Sequence, residues 1–207
     1  MSACSSPAPG TDTSLLDLAR PVNDGETRRG AILDAMEKAN ERILTSGRRS
    51  ATTLVVAEIA DQQLRCYHVG DSELVVVGQR GRIKQRIIPH SPTGFAVEAG
   101  LLDEEEAVRH EQRHIIFNVI GAPDMRVDVS AAVELAPFDT VLLASDGVVD
   151  NLYIDEIVEI IRVGKLDRAA DRLLEAARAR MEKRNGEDPS KPDDVTIVLF
   201  RRRRKGR

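Results

Sequence analysis

The chain has 207 residues, enough for one domain with a sizeable core, and its 42% hydrophobic and 31% charged residues make an ordinary soluble balance. No apolar run approaches the roughly 18 residues that span a bilayer, and the N-terminus lacks the basic-then-apolar pattern of a signal peptide, so a cytoplasmic protein is expected. The net charge of −4 is uneven: residues 201–207 carry six positive charges, leaving 24 basic against 34 acidic side chains in the rest. An acidic body suits a cation site and argues against a nucleic-acid-binding core.

Residues 1–14 are rich in Ser, Pro, Thr and Gly and are expected to be a disordered tail. A helix is predicted over 26–44, where Ile32, Leu33, Met36, Ala39, Asn40, Ile43 and Leu44 recur at helical spacing, with Asn23 or Asp24 as its cap. Strands are predicted over 53–60 and 64–69 around an Asp61-Gln62-Gln63 turn, then over 73–79 and 83–89 around Arg80-Gly81-Arg82. Together they read as a four-stranded antiparallel meander. The unbroken apolar run 74–77 suggests a strand buried on both faces. Two short helices follow, one ending at Gly100 and one capped by Asp103 over 104–109. Strands are expected over 127–135 and 140–145, helices over 155–163 and 167–183, and a last strand over 194–200. The seven residues 201–207 read as a solvated basic tail. Of the two cysteines, Cys4 lies in the tail and Cys66 in a strand, where it packs as a small apolar group, and no disulfide framework is indicated.

Three aspartates stand at the ends of apolar runs. Asp71 follows His68-Val69-Gly70, Asp146 follows Val141-Leu142-Leu143-Ala144-Ser145, and Asp193 with Asp194 precedes Val195-Thr196-Ile197-Val198-Leu199-Phe200. A buried unpaired carboxylate costs several kcal/mol, so groups of this kind are paired or bound to cations. Strands that deliver three carboxylates to one end of a sheet would make an all-oxygen site for hard divalent metals. Taken singly, each Gly-Asp-Ser or Ser-Asp-Gly triplet reads first as a turn, because Asp and Ser bond their own backbone and Gly takes positive φ. His68, before the Gly-Asp-Ser turn, is expected to pack or to bond to backbone, and His90, His110 and His114 share no metal-ligand spacing and are expected to be structural or on the surface. There is no P-loop, dinucleotide fingerprint or Gly-x-Ser-x-Gly elbow.

The combination of Thr52-Thr53-Leu54, Gly70-Asp71-Ser72, Ala144-Ser145-Asp146-Gly147 and Asp193-Asp194-Val195-Thr196, with Glu98-Ala99-Gly100-Leu101 and Asn118-Val119-Ile120-Gly121 between, resembles the metal-dependent protein phosphatases of the PPM (PP2C) family in their bacterial single-domain form. The resemblance implies an α+β fold, a four-layer α-β-β-α sandwich of two mainly antiparallel sheets, over residues 15–200. It implies hydrolysis of phosphoserine and phosphothreonine in substrates of Ser/Thr kinases by a water activated on two or three Mn²⁺ or Mg²⁺ ions. By the same resemblance Asp146 and Asp193 are the catalytic metal ligands. Asp71 helps hold a further ion with Asp146, and Gly70 and Gly147 allow the turns that aim the carboxylates. Asp194 stands where the family has Asn and is a further acidic candidate. The family's opening strands, with a phosphate-gripping Arg and a bridging Asp-Gly, find no counterpart; Asp24-Gly25 is expected to be a turn. The resemblance therefore also implies an N-terminally incomplete sandwich with open strand edges and an unidentified phosphate-binding group. A catalytically impaired regulator of the same fold is the alternative.

Overall fold

The computed structural model describes residues 27–47, 50–183 and 188–202. The first helix, α1 (Arg28–Thr45), begins two residues later than the periodicity suggests. Its cap is Thr27, whose Oγ1 accepts from the Gly30 N–H, while Asn23 and Asp24 lie outside the described residues. Strands β1 (Leu54–Ala60) and β2 (Gln63–Val69) form a hairpin closed by Asp61 and Gln62, both at positive φ. Two-residue loops of this kind match the strand twist, and the loop residues are Asp61-Gln62 alone. Then the chain changes sheets. Strands β3 (Glu73–Val77) and β4 (Ile83–Arg86) form a second hairpin that pairs with β7 (Thr140–Ala144) and not with β2. The expected meander is therefore two hairpins in two sheets, joined at Gly70-Asp71-Ser72. Alternation within each strand is the same in either arrangement, which is why sequence could not separate them.

Helices α2 (Pro92–Glu98) and α3 (Glu104–Arg109) follow, the latter with a full capping box between Asp103 and Glu106. The strand expected over 127–135 is broken into β5 (Asp128–Val129) and β6 (Val133–Glu134), both paired with β2. At the break, Ser130 accepts the Cys66 N–H on its Oγ and returns its own N–H to the Cys66 carbonyl. After β7 come α4 (Asp146–Val149), α5 (Ile154–Ile161), α6 (Leu166–Glu182) and β8 (Ile197–Arg201). The first sheet holds β1, β2, β5 and β6; the second runs β4-β3-β7-β8, all antiparallel.

Three apolar clusters define the layers. Leu64, Cys66, Leu74, Val76 and Val141 pack between the sheets. Val75, Leu142, Ile157, Ile161 and Leu173 join the outer face of the second sheet to α4–α6. Ile32, Met36, Ala39, Tyr67 and Val69 join α1 to the first sheet. This is the expected α-β-β-α sandwich, and all five residues of β3 are buried, as its unbroken apolar run requires. Burial pushes the Cys66 thiol up to about 12, with Glu73 adding to it, so Cys66 is an inert packing group. Two residues of the expected basic tail belong to the fold. Arg201 ends β8 and donates to Thr140 Oγ1 and the Ile161 carbonyl, and Arg202 donates to the Gln62 side chain and the Leu135 carbonyl. Among the described residues no helix is long and apolar enough to cross a membrane.

Candidate metal centre

Strand register gathers the carboxylates. Glu73 pairs with Ala144, and Ala144 with Ile197, so β3, β7 and the edge strand β8 of the second sheet are level at one end. Asp71 lies two residues before Glu73, Asp146 two beyond Ala144, and Asp193 four before Ile197. Ser145 locks the last two exits together: its Oγ accepts the Thr196 N–H at 3.0 Å and donates to the Asp194 carbonyl at 3.2 Å. Gly147 is needed for that approach rather than for a turn. It lies in α4, and a Cβ there would sit 2.2 Å from the Asp194 carbonyl oxygen. Asp194 itself meets this arrangement through its backbone, and its side chain is exposed.

Gly70 does require its glycine. Its φ of 106° is left-handed territory, and a Cβ would lie 2.3 Å from Thr53 Cγ2. The turn is clamped from the other side by His90. The Gly70 N–H donates to His90 Nδ1 at 3.0 Å, and the Gly70 carbonyl accepts the His90 N–H at 3.0 Å. Thr53 and Ser72 hydroxyls meet at 2.8 Å, tying the Thr-Thr-Leu segment to the Gly-Asp-Ser turn.

His90 is fully buried and stacks on His68 with ring centroids 4.4 Å apart, and the two lie near Asp128. Of the two expectations for it, structural or on the surface, His90 takes the structural one. The signal lay in no spacing, because residues 68, 90 and 128 meet only through the sheet crossover. The ring nitrogens argue against a metal there. His90 Nδ1 accepts both the Gly70 N–H and the Asn118 amide, so its proton sits on Nε2, 3.2 Å from Asp128 Oδ2. His68 donates Nε2 to the Ile88 carbonyl, the backbone bond expected of it. The pair is a clamp on the Gly70 turn.

Two residues that sequence reasoning passed over complete the carboxylate cluster. Asp150 follows Asp146 by four residues, one helical turn, a spacing that could have flagged it. Lys191 places its Nζ 2.7 Å from Asp146 Oδ2, 2.7 Å from Asp150 Oδ2 and 3.3 Å from Asp193 Oδ2. Burial alone would lower the Lys191 pKa, yet its bonds to Asp146 and Asp150 hold it above the usual lysine range. Asp71 and Asp146 line a common cavity of about 240 Å³, together with Asp150, Arg86 and Arg113. Burial pushes the Asp71 carboxyl up to about 6, reinforced by the charges of Asp146 and Asp150. Burial raises Asp150 as well.

The donor set fits a hard divalent cation. Asp146, Asp150 and Asp193 already surround one positive charge with oxygens, and Asp71, raised by burial and then by its like-charged neighbours, would be stabilised by another.

With the site in view, the chain can be set beside known proteins. A family model described as protein phosphatase 2C matches residues 12–184. A 2C-type relative from Streptococcus pyogenes is 30% identical over 178 residues, covering 83% of this chain and 68% of its own length. Protein phosphatase PhpP of Streptococcus pneumoniae is 34% identical over 132 residues, covering 61% of this chain and 53% of its own length. Among solved structures, the serine/threonine phosphatase of S. agalactiae superposes with a TM-score of 0.70 at 26% identity, covering 92% of this chain and 79% of that one. The catalytic domain of the phosphatase PstP, in complex with two manganese ions, superposes at 0.67 and 22% identity, covering 90% and 76%. The chain belongs to the protein phosphatase 2C family, whose named members are serine/threonine protein phosphatases. It spans about half to two-thirds of the length of the curated relatives it matches.

Proposed function

We propose that this chain is a metal-dependent protein serine/threonine phosphatase, hydrolysing phosphoserine and phosphothreonine in cytoplasmic proteins modified by Ser/Thr kinases, with residues 15–200 as its phosphatase unit. The observation that carries the reading is the convergence of Asp71, Asp146 and Asp193 at the level ends of β3, β7 and β8, in a member of this family. Asp146 and Asp193 would hold the principal divalent ion, Mn²⁺ or Mg²⁺, and Asp71 with Asp146 a further one. PstP bound to two manganese ions supports an ion pair of this kind. When bound, such ions lower the pKa of water and neutralise charge on phosphoryl oxygens. The protein's own part is to hold four carboxylates rigidly enough that little reorganisation is needed. His90 fixes the Asp71 turn, Ser145 fixes Asp146 against Asp193, and Gly147 lets the two loops touch. Arg86 and Arg113 line the adjoining cavity, where a phosphoprotein segment would lie.

The test is phosphate release from a phosphothreonine peptide with and without Mn²⁺. Mn²⁺-dependent release is expected, falling by at least about 100-fold in Asp146→Asn and in Asp193→Asn, as loss of a ligand costs several kcal/mol of transition-state stabilisation. Full turnover in both variants would refute the site. Phosphopeptide binding without release at millimolar Mn²⁺ would favour the regulatory reading.

A further inference from the structure

The sequence places a lysine two residues before Asp193, and the fold fixes it there. Asn151, fully buried, holds the Lys191 backbone from both sides: its Oδ1 accepts the Lys191 N–H at 2.7 Å, and its Nδ2 donates to the Lys191 carbonyl at 2.9 Å. The same Nδ2 donates to the Gly147 carbonyl at 3.0 Å, so one amide sets the Lys191 loop against the helix that starts at Asp146. From that anchored backbone the ammonium reaches three carboxylates, two of which are the proposed metal ligands Asp146 and Asp193. The third, Asp150, is mostly buried and points to the same nitrogen.

One group of carboxylate oxygens cannot serve an ammonium and a divalent ion at once. We propose that Lys191 is a tethered cation that competes with divalent metal for Asp146 and Asp193, and so sets how much metal this chain needs. The inference rests on the assignment of those two aspartates as metal ligands. Without metal, the ammonium offsets the repulsion among carboxylates held within a few ångströms of one nitrogen, which keeps the metal-free protein folded with its loops in place. Entry of a divalent ion displaces the ammonium from Asp146 and Asp193, while Asp150 remains to hold it. Because the lysine backbone is fixed by Asn151, the displaced head stays close by and returns when the ion leaves. Mutual exclusion is a negative coupling between two cations, one of them covalently attached, and couplings of this kind change affinity by about 5- to 150-fold.

The experiment is Mn²⁺ binding to the full chain by calorimetry and by the free-ion spin-resonance signal, with no substrate present. Lys191→Met keeps the backbone bonds to Asn151 and the length of the side chain and removes the charge; Lys191→Gln is a second neutral variant should the first fold poorly. Both are expected to bind Mn²⁺ at least about fivefold more tightly than the parent, and Lys191→Arg, which keeps the charge, to bind within about threefold of it. Equal or weaker binding in the neutral variants overturns the proposal. Asp146→Asn separates the two layers of inference. If it abolishes Mn²⁺ binding while the neutral Lys191 variants bind like the parent, only the tethered-cation role falls. If Mn²⁺ binding survives Asp146→Asn, or the parent and all Lys191 variants bind none, the ligand assignment falls and the tethered cation with it.

Discussion

Replacing Arg86 by methionine should destabilise the fold in a strongly pH-dependent way. Glu73, at the start of β3, is fully buried, and one of its carboxylate oxygens has no hydrogen-bond partner in the structure. The other is held by Arg86 through Nε and Nη2 at 3.1 Å, and Arg86 also reaches Glu104 at 2.6 Å. Burial raises the Glu73 pKa despite that guanidinium, while the two carboxylates raise Arg86 further against its own burial. With Met at position 86, the fully buried Glu73 loses the guanidinium that pairs with it and escapes by taking a proton. The cost of protonating an ordinary glutamate (reference value 4.5) is about 1.4 kcal/mol per pH unit, hence about 3.4 kcal/mol at pH 7 and about 0.7 kcal/mol at pH 5. The pH 7 figure falls within the roughly 3–5 kcal/mol seen when buried ion pairs lose one partner. The sign is fixed: a carboxyl whose folded pKa is raised retains a proton the unfolded chain gives up, so the variant loses stability as pH rises above 4.5. Urea unfolding of the parent, Arg86→Met and the Glu73→Gln/Arg86→Met double variant at pH 5 and pH 7 reads this directly. The double variant should recover most of the loss at pH 7. A penalty that is flat between pH 5 and pH 7, or a double variant no better than the single one, would refute the reasoning.

Two further outcomes follow from the clamp around Asp71. Gly70→Ala combines a left-handed φ with a 2.3 Å approach to Thr53, and should lower stability by about 2–4 kcal/mol, measured by thermal or urea unfolding. A loss below about 1 kcal/mol would mean the turn can rearrange without its glycine. Burial lowers the His68 pKa, with His90 adding to it, so the unfolded chain binds a proton that the native state refuses. His68 therefore contributes stability that is present above about 6.5 and is lost as pH falls from there, and His68→Gln should flatten that part of the stability profile.

Legibility in the sequence divided along a physical line. Periodicity identified α1, α5, α6 and every strand of five residues or more, because each buries one face or both and its spacing records which. The three aspartates were visible because a carboxylate at the end of an apolar run is anomalous. Their place at strand ends is local and therefore legible, whereas Asp150 and Lys191 join them only through the fold. What remained hidden depended on tertiary placement. The meander became two hairpins because nothing local marks a change of sheet, and the 127–135 strand split at Ser130, where the side-chain Oγ accepts the Cys66 N–H of β2, a contact made only in the fold. Lys191 resembles any loop lysine until Asn151, 40 residues away, is seen to hold its backbone. Sequence left open whether His90 was structural or on the surface, because the groups that hold it come from residues 68, 70 and 118.

The level ends of β3, β7 and β8 also impose an order in time. The carboxylates are contributed at positions 71, 146 and 193, and the last lies four residues before β8, which pairs with β7. A ribosome delivers them in that order, with domains tending to fold as they emerge. Until β8 has left the exit tunnel and zipped onto β7, Asp146 has neither Asp193 nor Lys191 beside it, so a growing chain cannot gather the cluster. Any fragment ending before Ile197 should share that defect.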